Sequence, residues 1–160
     1  MSTSTDAPAA PKPTRIAPIV TPDAKSFWAA ADQERFVGQK CGDCGQYTFP
    51  PRPMCPYCHS LKREEVELSG YGTVHSFTIP RHPPPFGFRE APIVAVIQLD
   101  EGIRFVSNLV GVAYDQVQMD MPVEVMFEPT MNNHKVPVFR PRTLAAHPSS
   151  APASSTGSGA

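Results

Sequence analysis

The sequence predicts a mainly β protein, in which a short N-terminal helix precedes a metal-binding cysteine module and a small closed barrel of five strands. Three observations lead to this fold class. Twenty of the 160 residues are prolines, which argues against a long helical bundle because proline costs roughly 3 kcal/mol in a helix interior. All four cysteines lie in two Cys-x-x-Cys pairs. Segments rich in β-branched residues, punctuated by glycine and proline, then fill the C-terminal half.

Four segments are expected along the chain. Residues 1–22 and 143–160 are rich in proline, alanine and serine and have few large apolar side chains. Burial there does not offset an ordering entropy of ~1–2 kcal/mol per residue, so we expect a flexible N-terminal segment and a disordered C-terminal tail. Residues 23–69 are predicted to hold the helix and the cysteine module, and residues 70–142 the barrel.

The helix is predicted to begin at Asp23, a candidate N-cap, and to run to about Gln33. Its apolar face holds Phe27, Trp28 and Ala31, which recur at helical spacing. This face has two interpretations. It packs against the neighbouring module, or it docks on another protein, since the single tryptophan of the chain lies beside Phe27.

The cysteines form the motifs Cys41-Gly-Asp-Cys44 and Cys55-Pro-Tyr-Cys58. A two-residue gap lets both thiolates of a pair face one ion, and two such knuckles complete a tetrahedron around zinc. The sequence therefore predicts a structural tetrathiolate zinc site, although iron in a rubredoxin-like site stays open because such sites accept both metals. The site uses every cysteine, which leaves no thiol nucleophile and no open metal position for a substrate.

Two other interpretations of the cysteines are weaker. Cys55-Pro-Tyr-Cys58-His59 matches the haem c attachment pattern, but that function leaves the first pair unexplained and requires export. A thioredoxin-like redox pair expects a βαβ context, which this pattern lacks. Residues 1–22 carry no basic segment followed by an apolar one. We therefore expect a cytoplasmic protein, where paired cysteines bind metal more often than they form disulfides.

The barrel strands are predicted from apolar residues that alternate or run continuously between turn residues. Five strands within roughly 70 residues suit a closed barrel better than a sandwich of seven or more, and closure removes exposed edges. An OB-type barrel is the natural candidate. The predicted strands are 72–79, 93–99, 103–110, 123–128 and 136–139.

Charge limits the classes of partner. Fourteen basic and 15 acidic residues give a formal net charge of −1, whereas nucleic-acid binders usually carry a basic excess. An OB-fold binder of single-stranded nucleic acid is therefore kept only as the alternative from another class. Apolar runs fall far short of the ~20 residues that span a bilayer, so we expect no membrane partner.

The loop between the first two barrel strands is the strongest candidate for a binding element. It combines Arg81, His82, Phe86, Phe88 and Arg89 with rigid prolines, and a stiff loop lowers the ordering cost of binding. The arginines suit phosphates, and the phenylalanines suit a base or a partner's pocket. The other interpretation is an ordinary hairpin loop whose phenylalanines cover the end of the barrel. No catalytic residue is predicted, because phosphate loops, nucleophile elbows and zinc-protease motifs are missing from the sequence.

A set of short segments within residues 24–142 carries a resemblance to a known family. The doubled Cys-x-x-Cys is preceded by Phe27-Trp28 and followed by Tyr47-Thr48-Phe49-Pro50-Pro51-Arg52, Gly70-Tyr71-Gly72-Thr73-Val74, Pro92-Ile93-Val94-Ala95-Val96-Ile97-Gln98-Leu99-Asp100-Glu101-Gly102, Pro122-Val123-Glu124-Val125 and Pro137-Val138-Phe139-Arg140-Pro141. Together these segments resemble the DUF35 family. The resemblance implies a rubredoxin-like zinc ribbon followed by an OB-fold. Asp120 stands where the family pattern has a glycine.

The resemblance also implies a function. Members of this family are accessory subunits of heteromeric enzymes that act on a coenzyme A thioester, and the partner does most of the catalysis. The partner implied is a thiolase-like protein, either a thiolase or a retro-aldol lyase (aldolase) of lipid or steroid degradation, in a two-plus-two heterotetramer. A MaoC-type enoyl-CoA hydratase is the alternative partner. In this scheme the ribbon and the helix with Phe27 and Trp28 dock the partner, while the loop from Arg81 to Arg89 approaches the CoA channel.

Overall fold

The computed structural model describes residues 15–83 and 85–143. The segments expected to be flexible or disordered, 1–22 and 143–160, lie outside the described residues except for 15–22 and 143. Within the described part, no helix is long and apolar enough to cross a bilayer. The elements in chain order are a 3-10 turn (Pro22–Ala24), α1 (Lys25–Asp32), β1 (Val37–Cys41), β2 (Tyr47–Thr48), β3 (Arg63–Glu67), β4 (Tyr71–Thr78), β5 (Ile93–Leu99), β6 (Arg104–Leu109), β7 (Pro122–Pro129) and β8 (Lys135–Pro141). The mainly β class with one short helix is confirmed.

The helix begins slightly later than predicted, and Asp23 does not cap it. Pro22 opens a 3-10 turn that contains Asp23, and the N-cap position of α1 belongs to Ala24, which makes no side-chain cap hydrogen bond. Proline fixes φ near the helical value and lacks the N–H that a first turn leaves unpaired. The 3-10 turn therefore starts at Pro22, one residue before the predicted cap, whereas the N-cap of α1 itself lies one residue after it.

The ribbon is a three-stranded antiparallel sheet with β1 in the centre, between β2 and β3. Cys41 is the last residue of β1, and Cys44 lies in the turn that leads to β2. Cys55 and Cys58 lie in the longer loop between β2 and β3. The sheet thus brings the two cysteine pairs to one end of the ribbon.

The barrel is closed and has five strands, in the order β4-β5-β6-β8-β7, which confirms the predicted OB-type architecture. β4 closes the barrel by pairing antiparallel with β7, and a parallel pair between Leu109 and Phe139 joins β6 to β8. Buried and partly exposed residues alternate along the whole of β5. This alternation is what period-two side-chain placement produces when one face of a sheet forms the core.

Aromatic side chains join the helix, the ribbon and the barrel into one hydrophobic core. Phe49, which follows β2, lies 4.4 Å from Phe105 of the barrel between ring centroids, and 5.1 Å from Phe27 of α1. Phe36 lies 5.2 Å from the same Phe105 ring. Each such pair contributes roughly 0.5–1.5 kcal/mol beyond its buried area. The ribbon is therefore packed against the barrel.

The turn before β7 has the left-handed backbone geometry that is expected where the family pattern has a glycine. Asp120 has a φ of 61°, in the left-handed region that glycine favours and aspartate tolerates better than most residues. Its backbone N–H donates to the carbonyl oxygen of Val74 at 2.8 Å. The turn is thus tied to β4 although it has aspartate in place of glycine.

Candidate metal centre and the ribbon–barrel groove

The four cysteine sulfurs form a compact cluster. Every Sγ lies within 4.8 Å of the other three, with Cys41 and Cys58 3.5 Å apart and Cys44 and Cys55 3.7 Å apart. A tetrahedron with Zn–S bonds of about 2.3 Å has sulfur–sulfur edges of roughly 3.8 Å. The cluster therefore has the size of a tetrathiolate zinc site, and all four predicted ligands meet there.

The backbone around the sulfurs repeats the same pattern in both knuckles. The first sulfur of each pair accepts backbone N–H groups from the residues two and three positions later, and the second accepts one from two positions later. The donors are Asp43, Cys44, Gln46, Tyr57, Cys58 and Ser60. Donors aimed at sulfur stabilise thiolates, the form that binds metal.

The thiols also perturb one another. The backbone N–H of Cys44 lowers the pKa of Cys41 to about 6. A backbone N–H from Ser60 acts to lower the pKa of Cys58, but the neighbouring sulfur of Cys44, together with burial, raises it to about 12. Four sulfurs this close cannot all be ionised without a cation, and a divalent ion neutralises them. Because four protein ligands close the coordination shell, zinc would act here as a structural ion.

Asp43 ties the two knuckles together. Its carboxylate accepts hydrogen bonds from Ser60 Oγ at 2.6 Å and from Lys62 Nζ at 2.9 Å. These two donors, Ser60 first, lower the pKa of Asp43. The bonds cross from the first knuckle to the residues after the second, so the loops that carry the sulfurs hold each other in place.

A groove of about 530 Å³ lies between the ribbon and the turn that joins β5 to β6. Its walls combine aromatic rings, two arginines and the polar end of β5. The lining includes Tyr47, Phe49, Arg52, Tyr57, Gln98 and Arg104. Sequence reasoning missed this site, because its walls come from segments far apart in the chain and no local pattern links them.

The candidate loop after β4 is held from both sides. The guanidinium of Arg81 lies 5.4 Å from the centre of the Tyr114 ring, and the Tyr114 hydroxyl donates to Ala91 O at 2.7 Å. The guanidinium of Arg15 lies 4.9 Å from the centre of the Phe88 ring. Phe86 is 87% exposed. The loop residues thus differ: Arg81 and Phe88 make contacts within the chain, whereas Phe86 projects from it.

His82 and Arg89, the other two candidate residues of this loop, are exposed. Arg15, which holds the loop, lies in the segment before α1. It also donates to Asn108 Oδ1 at 2.6 Å and pairs with Glu128 at 2.9 Å. No pattern in the sequence indicated this role, since Arg15 falls in a proline-rich stretch.

One of the two aromatic residues of the candidate docking helix, Phe27, lies in the hydrophobic core. Phe27 is 2% exposed and packs edge-on against Trp28, with ring centroids 4.9 Å apart. Phe27 is therefore not available to a partner in this structure. Trp28 is partly buried and keeps some ring surface open. Of the two interpretations of the apolar helix face, packing against the neighbouring module is the one that fits Phe27.

Comparison with protein families identifies two regions of the chain. Residues 28–62 match the family model described as "ChsH2, rubredoxin-like zinc ribbon domain", and residues 65–128 match "ChsH2, C-terminal OB-fold domain". The first range covers most of α1 and ribbon strands β1 and β2, and the second begins within β3 and covers the barrel strands from β4 to most of β7. The zinc-ribbon match and the sulfur cluster together support zinc as the metal of the four cysteines.

Curated relatives carry three kinds of name. A "probable enoyl-CoA hydratase alpha subunit" of Thermomonospora curvata is 39% identical over 82% of this chain, which spans only 41% of that relative's length. A "DUF35 domain-containing scaffold protein" of Methanothermobacter thermautotrophicus is 32% identical over 68% of this chain and 84% of its own. The "benzoylsuccinyl-CoA thiolase subunit BbsA" of Geobacter metallireducens is 34% identical over 64% of this chain and 68% of its own.

A solved structure extends the likeness to three dimensions. A chain of the complex titled "Ltp2-ChsH2(DUF35) aldolase" is 38% identical, with a TM-score of 0.74. The match covers 78% of this chain and 98% of that one. Both the ribbon and the barrel are therefore shared with a chain of almost the same extent as the described residues.

Proposed function

This chain belongs to the DUF35 family, and from this premise we propose that it is an accessory subunit of a heteromeric enzyme that acts on an acyl-CoA. The proposed partner is a thiolase-superfamily protein, a thiolase or an aldolase, and the proposed assembly is a two-plus-two heterotetramer. Two comparisons support this class of partner: one relative is named as a thiolase subunit, and the matched structure is titled as an aldolase complex.

The use of the cysteines supports a division of labour between the two subunits. All four cysteines of the chain belong to the metal centre, and a closed tetrathiolate site gives zinc no position for a substrate. A thiol nucleophile would then have to come from the partner. This chain's contribution would be docking and positioning of the CoA substrate.

The observation that carries the docking role is the exposure of Phe86. Its ring is 87% exposed, on a loop whose neighbouring residues Arg81 and Phe88 are restrained by cation–π contacts. Exposed aromatic rings on preorganised loops are typical interface anchors, because little conformational entropy is lost on binding. Phe86 would enter a pocket of the partner, and His82 and Arg89 would surround it.

A hydratase is the second candidate partner. It is favoured by one observation, the 39% identity to a probable enoyl-CoA hydratase alpha subunit. That relative is more than twice as long as the matched region, so its activity does not transfer with the match. Replacing the thiolase-like partner by a MaoC-type hydratase changes the reaction but leaves the docking role of Phe86 unchanged.

The experiment is co-expression of the full chain with a thiolase-like protein and, separately, with a hydratase-like protein from the same organism. We expect the chain and the thiolase-like protein to purify together with the mass of a two-plus-two complex, and the complex to turn over acyl-CoA. Phe86→Ala should weaken association at least tenfold, the loss of a typical hot-spot ring. Met119→Ala is the control, since Met119 is also exposed (63%) and lies outside the loop, beside Asp120, whose backbone N–H donates to Val74 in the middle of β4. Full turnover by this chain alone would contradict the division of labour.

A further inference from the structure

We propose that the groove between the ribbon and the barrel binds a nucleoside phosphate, a ligand in which a planar ring lies beside a phosphate group. The groove has a volume of about 530 Å³, within the range of about 300–1,000 Å³ that small-molecule sites occupy. Its lining supplies both kinds of contact that such a ligand needs. Rings come from Tyr47, Phe49 and Tyr57, and guanidinium groups come from Arg52 and Arg104.

The arginines of the groove are free to bind an anion. Arg104 Nε donates to Gln98 Oε1 at 3.1 Å, which orients the guanidinium and leaves its two terminal nitrogens without a protein partner among the described residues. Arg52 likewise has no ion pair there, and its backbone N–H donates to Gln39. Other arginines do have carboxylate partners, as Arg140 has in Glu124 at 2.7 Å.

The charge of the groove lining is one-sided. No carboxylate belongs to its lining among the described residues. Lys40 Nζ lies 5.3 Å from the centre of the Tyr47 ring, and behind the wall Arg63 donates to Thr48 Oγ1. Two nitrogens of that buried guanidinium, Nε and Nη1, have no hydrogen-bond partner. Positive charge without a counter-charge favours phosphate, and the planar fork of arginine matches its oxygens.

The aromatic wall favours a ring next to that phosphate. Tyr57 is 64% exposed and lies between the two cysteines of the second knuckle, so the metal centre fixes its backbone. A tyrosine held in this way presents a ring face on which a base stacks whatever its identity. Together with Arg52 and Arg104 of the same lining, this ring favours a ligand that carries both a planar ring and an anion over one that carries either alone.

The groove is separate from the loop that carries Phe86. It lies at the end of β5 that leads into β6, whereas the loop enters β5 at its first residue. Seven residues of strand place the two ends roughly 20 Å apart. Nucleotide binding is therefore independent of docking through Phe86, and either can fail without the other. Where the nucleoside phosphate is part of coenzyme A, the inference also rests on the proposed acyl-CoA function.

The test is calorimetric titration of the zinc-loaded full chain with ADP, adenosine, pyrophosphate, coenzyme A and pantetheine. We expect ADP to bind, and adenosine and pyrophosphate each to bind at least tenfold more weakly. Arg104→Gln and Arg52→Gln should each weaken ADP binding about tenfold, which corresponds to about 1.4 kcal/mol, and Tyr57→Ala should weaken it similarly. Arg140→Gln, which removes an exposed arginine elsewhere on the barrel, should leave it unchanged. Phe86→Ala should also leave the affinity for ADP unchanged.

The remaining outcomes identify the source of the nucleotide or overturn the inference. Equal affinities for ADP and coenzyme A support a free nucleotide, and tighter binding of coenzyme A than of ADP and pantetheine supports the coenzyme. The absence of binding by any nucleotide at millimolar concentration overturns the inference. Unchanged ADP affinity in an Arg52→Gln/Arg104→Gln variant with intact zinc also overturns it. A single-stranded oligonucleotide, titrated in the same way, also overturns the inference if it binds more tightly than ADP, since that indicates a nucleic-acid surface.

Discussion

His134 Nδ1 lies 2.9 Å from Asp32 Oδ2, and this contact joins the last residue of α1 to the turn between β7 and β8. The other carboxylate oxygen of Asp32 accepts the backbone N–H of Lys135 at 2.9 Å. The Lys135 ammonium in turn pairs with Glu34 at 2.7 Å. The Asp32 carboxylate therefore fixes the end of α1 to the turn of the β7–β8 hairpin. This attachment also holds α1 against the aromatic core to which Phe27 belongs.

The stability of this attachment should depend on pH. Burial acts to raise the pKa of Asp32, but the Lys135 N–H and the His134 side chain outweigh it and lower the pKa below its ordinary value. A carboxyl with a lowered folded-state pKa stabilises the fold fully above its unfolded pKa of about 4, and this contribution is lost as pH falls through the folded value. Asp32→Asn should therefore cost roughly 1 kcal/mol at pH 7 and less at pH 3.

Urea unfolding at the two pH values measures this difference. Asp23→Asn is the control, because Asp23 makes no side-chain hydrogen bond among the described residues, and its cost should be near zero at both. An equal cost of Asp32→Asn at pH 7 and pH 3 would show that the charge of Asp32 does not matter.

Removal of the metal should destabilise the whole chain, since Phe49 joins the ribbon to the barrel core. Cys55 is fully buried, so Cys55→Ser should lose zinc and the ribbon fold together. We expect the Tm to fall by more than about 10 °C, which corresponds to a loss of roughly 3 kcal/mol. Zinc content by mass spectrometry and circular dichroism melting measure the two effects.

Asp43→Asn provides the matched control for the zinc prediction. It removes a charge from the hydrogen bonds between the knuckles but no metal ligand, so zinc should stay bound and the Tm should fall only slightly. A zinc-free Cys55→Ser protein that melts at the temperature of the unchanged chain would refute a structural role for the metal.

The features that the sequence predicted are those that local spacing determines. The cysteine knuckles need only a two-residue gap, and β5 was predicted with its observed bounds because a run of apolar residues, broken only by Gln98, ends at an Asp-Glu-Gly turn. The groove has no local signature, since Arg52 and Arg104 meet only after the ribbon packs on the barrel. The same limit applies to Phe27: an amphipathic helix face looks identical in sequence whether its own core or a partner covers it.

The left-handed backbone at Asp120 predicts which substitutions this position tolerates. Its φ of 61° is costly for a β-branched residue, because a left-handed conformation costs roughly 1–2 kcal/mol for most L-residues. Asp120→Val should destabilise the chain by about that amount, whereas Asp120→Gly should change the free energy of unfolding by less than roughly 0.5 kcal/mol. Urea unfolding of both variants checks the prediction, and equal costs would contradict it.

Gly72 should tolerate no side chain. A Cβ at this position would overlap the backbone carbonyl oxygen of Gln98 and lie 3.1 Å from Ile97 Cγ2. The carbonyl cannot retreat without breaking the ladder in which Gly72 faces Leu99. Gly72→Ala should therefore cost about 2–3 kcal/mol, at the upper end of the range for overpacking.

Gly102→Ala separates this steric effect from the general cost of replacing glycine. Gly102 has a φ of +84° but open space around its Cβ position, so alanine there should cost only about 1 kcal/mol of backbone strain. Urea unfolding of both variants gives the comparison. If Gly72→Ala costs no more than Gly102→Ala, β4 and β5 can separate at this point, and the close approach of Gly72 to Gln98 does not hold the barrel together.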